Sequence, residues 1–180
     1  MKNKIKLFTI IALMSINVCA FANFIEARVK VTGITCSMCS NSVHKALSTL
    51  NFIEKIDVDL ENAVFNLTFK EGQPVTIDDI KNKIEGAGFS VGELVADFNF
   101  ENISVSKDFH YEFAGNTYHF INVKDQQLND KVSLKFVDKG LTSQKEYKKF
   151  ASLTSMACIK NGKPAKCCPS TAKRIYHVTI

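Results

Sequence analysis

The chain has 180 residues, 46% of them hydrophobic and 23% charged, a globular composition that excludes a disordered tail and accommodates one generous domain or two small ones. Three prolines and eight glycines exclude collagenous or low-complexity architecture, and one apolar run, near the N-terminus, approaches the length of a membrane span. The six cysteines are too few for a disulfide scaffold but are clustered, which makes them the most informative residues in the chain.

Lys2, Lys4 and Lys6 precede an apolar stretch from Leu7 to Ile16, and Ala20-Phe21-Ala22 puts small residues around a cleavage point. This pattern predicts a secretory signal peptide over 1–22, cut after Ala22, and a mature chain in the periplasm. The apolar stretch is shorter than the roughly 20 residues that span a bilayer, so no stable membrane insertion of the mature chain is expected. Val18 stands before Cys19 where a lipidation site needs a small residue. Residues 23–97 carry seven basic and eleven acidic side chains, and residues 98–180 thirteen and seven. The near-neutral mature chain argues against nucleic acid as a partner, and the asymmetry predicts two domains, 23–97 and 98–180. Lys145, Lys148 and Lys149 read as a solvated helix face.

In the first half, Ala27, Val29 and Val31 alternate with polar residues as a strand that ends at Gly33. Val43, Ala46, Leu47 and Leu50 recur at helical spacing after Ser37. Residues 53–58 form a second strand, Glu61-Asn62 a turn, and Phe65, Leu67 and Phe69 a third strand. Thr76 with Asp79 has capping-box spacing ahead of the stripe Ile77, Ile80, Ile84 and Ala87. Residues 89–95 complete the order βαββαβ, an α+β pattern of the ferredoxin-like, split βαβ kind.

The chemistry lies where the first strand becomes the first helix, at Gly33-Ile34-Thr35-Cys36-Ser37-Met38-Cys39. Two cysteines separated by two residues at a helix start sit beside unpaired backbone N–H groups and the positive end of the helix dipole, which favours thiolates. Deprotonated sulfur is a ligand for soft cations. Two protein ligands suit Cu(I) or Hg(II) at low coordination better than a closed four-ligand Zn(II) site. The same pair also fits thiol-disulfide exchange or a plain disulfide, although a thioredoxin-like enzyme carries a Trp beside its motif and this chain has none. Met38, between the cysteines, reads as exposed loop filler, with a thioether contact to copper as its alternative role. His44 reads as a surface residue.

The segment 33–39, with Val43, Leu47, Ile56-Asp57-Val58-Asp59-Leu60-Glu61-Asn62 and Ile84-Glu85-Gly86-Ala87-Gly88-Phe89, resembles the heavy-metal-associated domain over about residues 25–96. Copper chaperones, P-type ATPase metal-binding modules and periplasmic mercury-binding proteins share that domain. The resemblance implies that Cys36 and Cys39 bind the metal and that the ion passes by ligand exchange to a partner such as a metal-transporting ATPase or transporter. Cu(I) is the favoured ion, with Hg(II) or Zn(II) as alternatives. Ile34 stands where the family usually has Met, a swap that conserves volume. Phe89 falls where cytosolic copper chaperones often have Tyr. The chain is expected to be a carrier or sequestering protein with no catalytic residues.

In the second half, residues 105–113 and 117–123 read as a hairpin around Gly115-Asn116, and Val132, Leu134 and Phe136 as a strand. Ser143 is placed to cap a short helix ending near Phe150, and residues 175–180 alternate again. A small β-rich domain follows, for which an OB-type barrel is the candidate form. Cys158, Cys167 and Cys168 close the cysteine inventory. One disulfide, from Cys158 to Cys167 or Cys168, is the plain expectation outside the cytoplasm. The alternative is a second soft-metal site built from Met156, Cys158, Cys167, Cys168 and His177. His110 and His119 are expected to be ordinary surface or core histidines.

Overall fold

The computed structural model describes residues 23–165, 168 and 172–180. The expected signal peptide, 1–22, lies outside the described residues. The first half contains β1 (Asn23–Thr32), α1 (Ser37–Leu47), β2 (Ile53–Asp59), β3 (Val64–Phe69), α2 (Ile77–Gly86) and β4, which begins at Ser90. Ala27, Val29 and Val31 of β1 face the core with Phe65, Leu67 and Phe69 of β3. Val43 and Leu47 of α1 and Ile77, Ile80 and Ile84 of α2 cover them and are fully buried. The strands run antiparallel in the order β2-β3-β1-β4, the ferredoxin-like arrangement expected from βαββαβ.

Beyond this point the structure departs from expectation. Strand β4 runs on to Val105 and pairs with β1 along one edge and β7 (Gln126–Phe136) along the other. The boundary expected at 97/98 therefore falls inside a strand. β5 (His110–Phe113), β6 (Asn116–Phe120) and β8 (Ile175–Thr179) extend the same sheet, in the order β2-β3-β1-β4-β7-β8-β6-β5. The OB-type barrel is not confirmed: the eight strands hydrogen-bond in one sheet with β2 and β5 as its end strands. Aromatic rings from β1, β4 and β5 hold the two halves together. Phe24 of β1 meets Phe98 at a ring separation of 4.9 Å, and Phe98 meets Phe113 of β5 at the same distance. Burying such rings is the largest apolar gain available, and one continuous sheet buries them together.

The hairpin forms, with its turn one residue earlier than expected: Phe113 pairs with Asn116, leaving Ala114-Gly115 as the loop. Both turn residues have positive φ, +51° and +75°, the type I′ geometry that matches strand twist. The capping box on α2 is not made. Thr76 is the N-cap residue but its hydroxyl makes no capping bond, and the Asp78 N–H instead donates to the Tyr176 hydroxyl of β8 at 3.4 Å. Arg174 bonds Asp78 at 2.9 Å and stacks over the Tyr176 ring, tying α2 to the last strand.

A second, smaller core lies under α3 (Gln144–Ala151) and a 3-10 turn (Ala157–Lys160), where Ile121, Val137, Phe150 and Ile159 are buried together. Ser143 caps α3 as expected, its hydroxyl accepting the Glu146 N–H. Lys145, Lys148 and Lys149 are exposed on that helix. No helix among the described residues is long and apolar enough to cross a membrane.

Candidate functional site

Strand β1 leaves the sheet at Thr32, and Gly33 turns the chain with φ +92°. A methyl group there would stand 3.7 Å from the Phe89 ring, an ordinary contact, so backbone conformation and not space makes glycine the fitting residue. Ile34 packs, half-buried, on the main core and anchors the loop from below.

Cys36 is the N-cap of α1. Its extended backbone (φ −152°, ψ 161°) turns the sulfur over the helix start, where it accepts the Cys39 N–H at 3.4 Å. Cys39, one helical turn on, places its own Sγ 2.8 Å from that of Cys36. The hydrogen bond from the Cys39 side chain, then that from its backbone N–H, holds the Cys36 thiol below its ordinary range, against a small opposing effect of burial. Cys36 is exposed and Cys39 half-buried. The two expected ligands are therefore brought together.

The rim of the site mixes apolar and hydroxyl side chains. Ile34, Thr35, Cys36, Ser37 and Leu60 line a shallow depression of about 190 Å³. Met38 and Leu60 are 80% and 60% exposed. A linear ion with metal–sulfur bonds of about 2.3 Å would need sulfurs about 4.6 Å apart, wider than the 2.8 Å between Cys36 and Cys39. The exposure of Cys36 leaves its side chain room to turn.

A sequence model of the heavy-metal-associated domain matches residues 28–90. The copper chaperone CopZ of Staphylococcus haemolyticus is 32% identical over 63 residues, which are 35% of this chain and 91% of CopZ. The chain belongs to the heavy-metal-associated domain family. A copper-transporting ATPase of Helicobacter pylori is 33% identical over 67 residues, but the chain spans only 9% of the length of that relative. Among solved structures, a copper binding domain from HMA7, a P-type ATPase, is 40% identical over 37% of this chain and 89% of that one, with a TM-score of 0.34. The match to the family model thus stops where β4 begins, and β4 is the strand that carries the rest of the sheet.

The second half holds residues that sequence reasoning placed less well. Cys158 is fully buried on the 3-10 turn, with Met156 just before it, and Cys167 lies outside the described residues along with any pairing to it. His119 and His177, both fully buried, approach the Cys158 sulfur at 3.7 Å and 3.4 Å. His110, half-buried, stacks on His119 with ring centroids 4.4 Å apart and meets the Cys168 sulfur at 3.4 Å. Burial, which outweighs the Asp108 hydrogen bond, pushes the His119 imidazole down to about 4. These histidines are 9 and 58 residues apart in sequence, and strand register alone aligns them: His110 pairs with His119, and His119 with His177. His44, expected at the surface, is half-buried on α1.

Proposed function

We propose that the protein carries one Cu(I) ion between the sulfurs of Cys36 and Cys39, outside the cytoplasm, and passes it to a metal-transporting ATPase or transporter by thiolate exchange. The observation that carries this reading is the Cys36 sulfur itself: exposed, lowered in pKa, seated at a helix N-terminus and 2.8 Å from a second sulfur. A soft monovalent ion needs two thiolates and little else. Similarity to a copper chaperone and to copper-transporting ATPases supports copper as the ion and an ATPase as the recipient. Exchange requires access by a partner's thiols, and Met38 and Leu60 give the partner apolar contact beside the metal. The leader-like residues 1–22 support the extracytoplasmic location.

The test is native mass spectrometry of the reduced protein titrated with Cu(I), Hg(II) and Zn(II), beside Cys36→Ser/Cys39→Ser. Cu(I) bound more tightly than Zn(II), and lost from this site in the double variant, is the expected result. A preference for Hg(II) or Zn(II) over Cu(I) in competition would reassign the cargo. The same lowered thiol also suits disulfide exchange. Failure to bind any of the three ions, with a Cys36–Cys39 disulfide that cycles with a dithiol substrate, would replace metal carriage by that activity.

A further inference from the structure

Among the described residues, and away from the Cys36–Cys39 pair, a group of metal-ligating side chains lies beside the 3-10 turn. His110, His119 and His177 stand in register on the adjacent strands β5, β6 and β8, and strand alternation puts them on one face of the sheet. The neighbouring Tyr118 and Tyr176 point into the opposite, main core. Cys158 on the 3-10 turn closes over the row. His110, His119 and Cys158 each bring a donor atom within 4.8 Å of the others, and His177 Nε2 lies 3.4 Å from the same sulfur.

The proton inventory of this group does not close by itself. His119 Nε2 is 3.0 Å from Asp108 Oδ1, and His177 Nδ1 is 2.9 Å from Asp138 Oδ1. Carboxylates only accept, so each of these nitrogens holds its ring's proton. Asp138 also accepts the His177 backbone N–H at 2.7 Å and pairs with Arg174. The remaining nitrogens, His119 Nδ1 and His177 Nε2, therefore turn lone pairs toward one sulfur, and that sulfur has at most one proton. Two lone pairs and a sulfur converging in a buried space, with the far side of each imidazole held by a carboxylate, is the carboxylate–histidine arrangement that orients metal ligands. The spacing agrees. With metal–nitrogen and metal–sulfur bonds of about 2.05 and 2.3 Å, nitrogen–sulfur separations of 3.4 and 3.7 Å subtend about 103° and 116° at an ion shared by the sulfur and either imidazole, and the three donors that all lie within 4.8 Å of one another are those of His110, His119 and Cys158.

We propose that Cys158, His119 and His110 form a second metal site, for a copper or zinc ion, with His177 beside the same sulfur as a further ligand. Mixed imidazole and thiolate donors select these ions over magnesium or calcium. The metal takes Cys158 as a thiolate, so binding weakens as pH falls. Cys168, on the His110 side, puts a further sulfur at the half-buried edge of the cluster. The site is independent of the Cys36–Cys39 pair and stands or falls without it.

The experiment uses the full chain as Cys36→Ser/Cys39→Ser, stripped of metal and titrated separately with Cu(II), Zn(II) and Co(II), the last as a visible reporter for zinc. The expected result is one ion retained, with a thiolate-to-metal charge-transfer band for Cu(II) or Co(II). Adding Cys158→Ser abolishes the band and lowers affinity by more than the roughly 10–100-fold that an outer-shell change costs. Because Cys158 is buried, its replacement also risks the fold. Imidazole nitrogen NMR on the Cys36→Ser/Cys39→Ser protein avoids this, since Zn(II) then shifts His119 Nδ1 and His177 Nε2 directly. Tighter Cu(II) binding assigns the site to copper, and tighter Zn(II) binding to zinc. A folded protein that takes no ion, or an ion that leaves the band absent and both nitrogens unshifted, overturns the proposal.

Discussion

Asp138→Asn isolates what one buried carboxylate does for the second half of the sheet. Asp138 is 3% exposed and accepts both the backbone N–H and the ring Nδ1–H of His177, at 2.7 and 2.9 Å, while pairing with Arg174 at 3.4 Å. Asparagine keeps one acceptor oxygen, which the backbone N–H takes, and turns an amide N–H toward His177 Nδ1. The imidazole is then forced into its other tautomer, with the proton on Nε2 facing Cys158. The two bonds to His177 become neutral ones, each weaker by about 1 kcal/mol, and the Arg174 ion pair is lost with them, for a total of at least about 2 kcal/mol. In a chain of this size that lowers Tm by about 4–8 °C. Urea unfolding of the metal-free protein measures the loss as a shifted midpoint at constant slope, and imidazole nitrogen NMR reads the tautomer. A loss under about 0.5 kcal/mol, or a His177 that keeps its proton on Nδ1, would refute the assigned role of Asp138.

Three further outcomes are expected. Asp97 is buried, which alone raises its pKa, but the Ser133 hydroxyl, Lys131 and Arg28 together hold it below the usual carboxylate range. Its stabilising contribution is therefore present above the unfolded value of about 3.9 and lost as pH falls through the folded one. Urea midpoints between pH 5 and 2 should fall more steeply for the wild type than for Asp97→Asn, and parallel curves would contradict this. The hydroxyls of Thr117 and Thr142 are buried with no hydrogen-bond partner among the described residues. Thr117→Val should raise stability by about 1 kcal/mol in chemical denaturation, and a destabilised variant would show that the hydroxyl has a partner after all. Ala114 occupies the left-handed region at the hairpin turn, φ +51°. Ala114→Asn should add about 1 kcal/mol in thermal melts, with no gain if the turn is not of type I′.

The first half of the chain was legible because its signals are local. Alternation in β1 and β3, the helical stripe Ile77, Ile80 and Ile84, and the spacing of Cys36 and Cys39 are each contained within about a dozen residues, the range over which periodicity reports structure. Cys36 and Cys39 meet because three residues make nearly one helical turn, a distance that sequence alone fixes. The capping of α2 was misjudged for the opposite reason. Thr76 has the right chemistry, yet the Tyr176 hydroxyl arrives from 98 residues away to take the Asp78 N–H, a bond that exists only once β8 is in the sheet.

Sequence by itself determined the βαββαβ order, the heavy-metal-associated motif and the paired thiols, since local spacing and helix geometry suffice for all three. Tertiary structure alone decided that β4 carries both halves in one sheet. A strand's unpaired edge does not record its partner, and here the packed rings of Phe24, Phe98 and Phe113 hold the two halves together. It also decided that His110, His119 and His177 share a row beneath Cys158. Each of these histidines is unremarkable in its own segment, and only the register of β5, β6 and β8 brings their nitrogens to one sulfur.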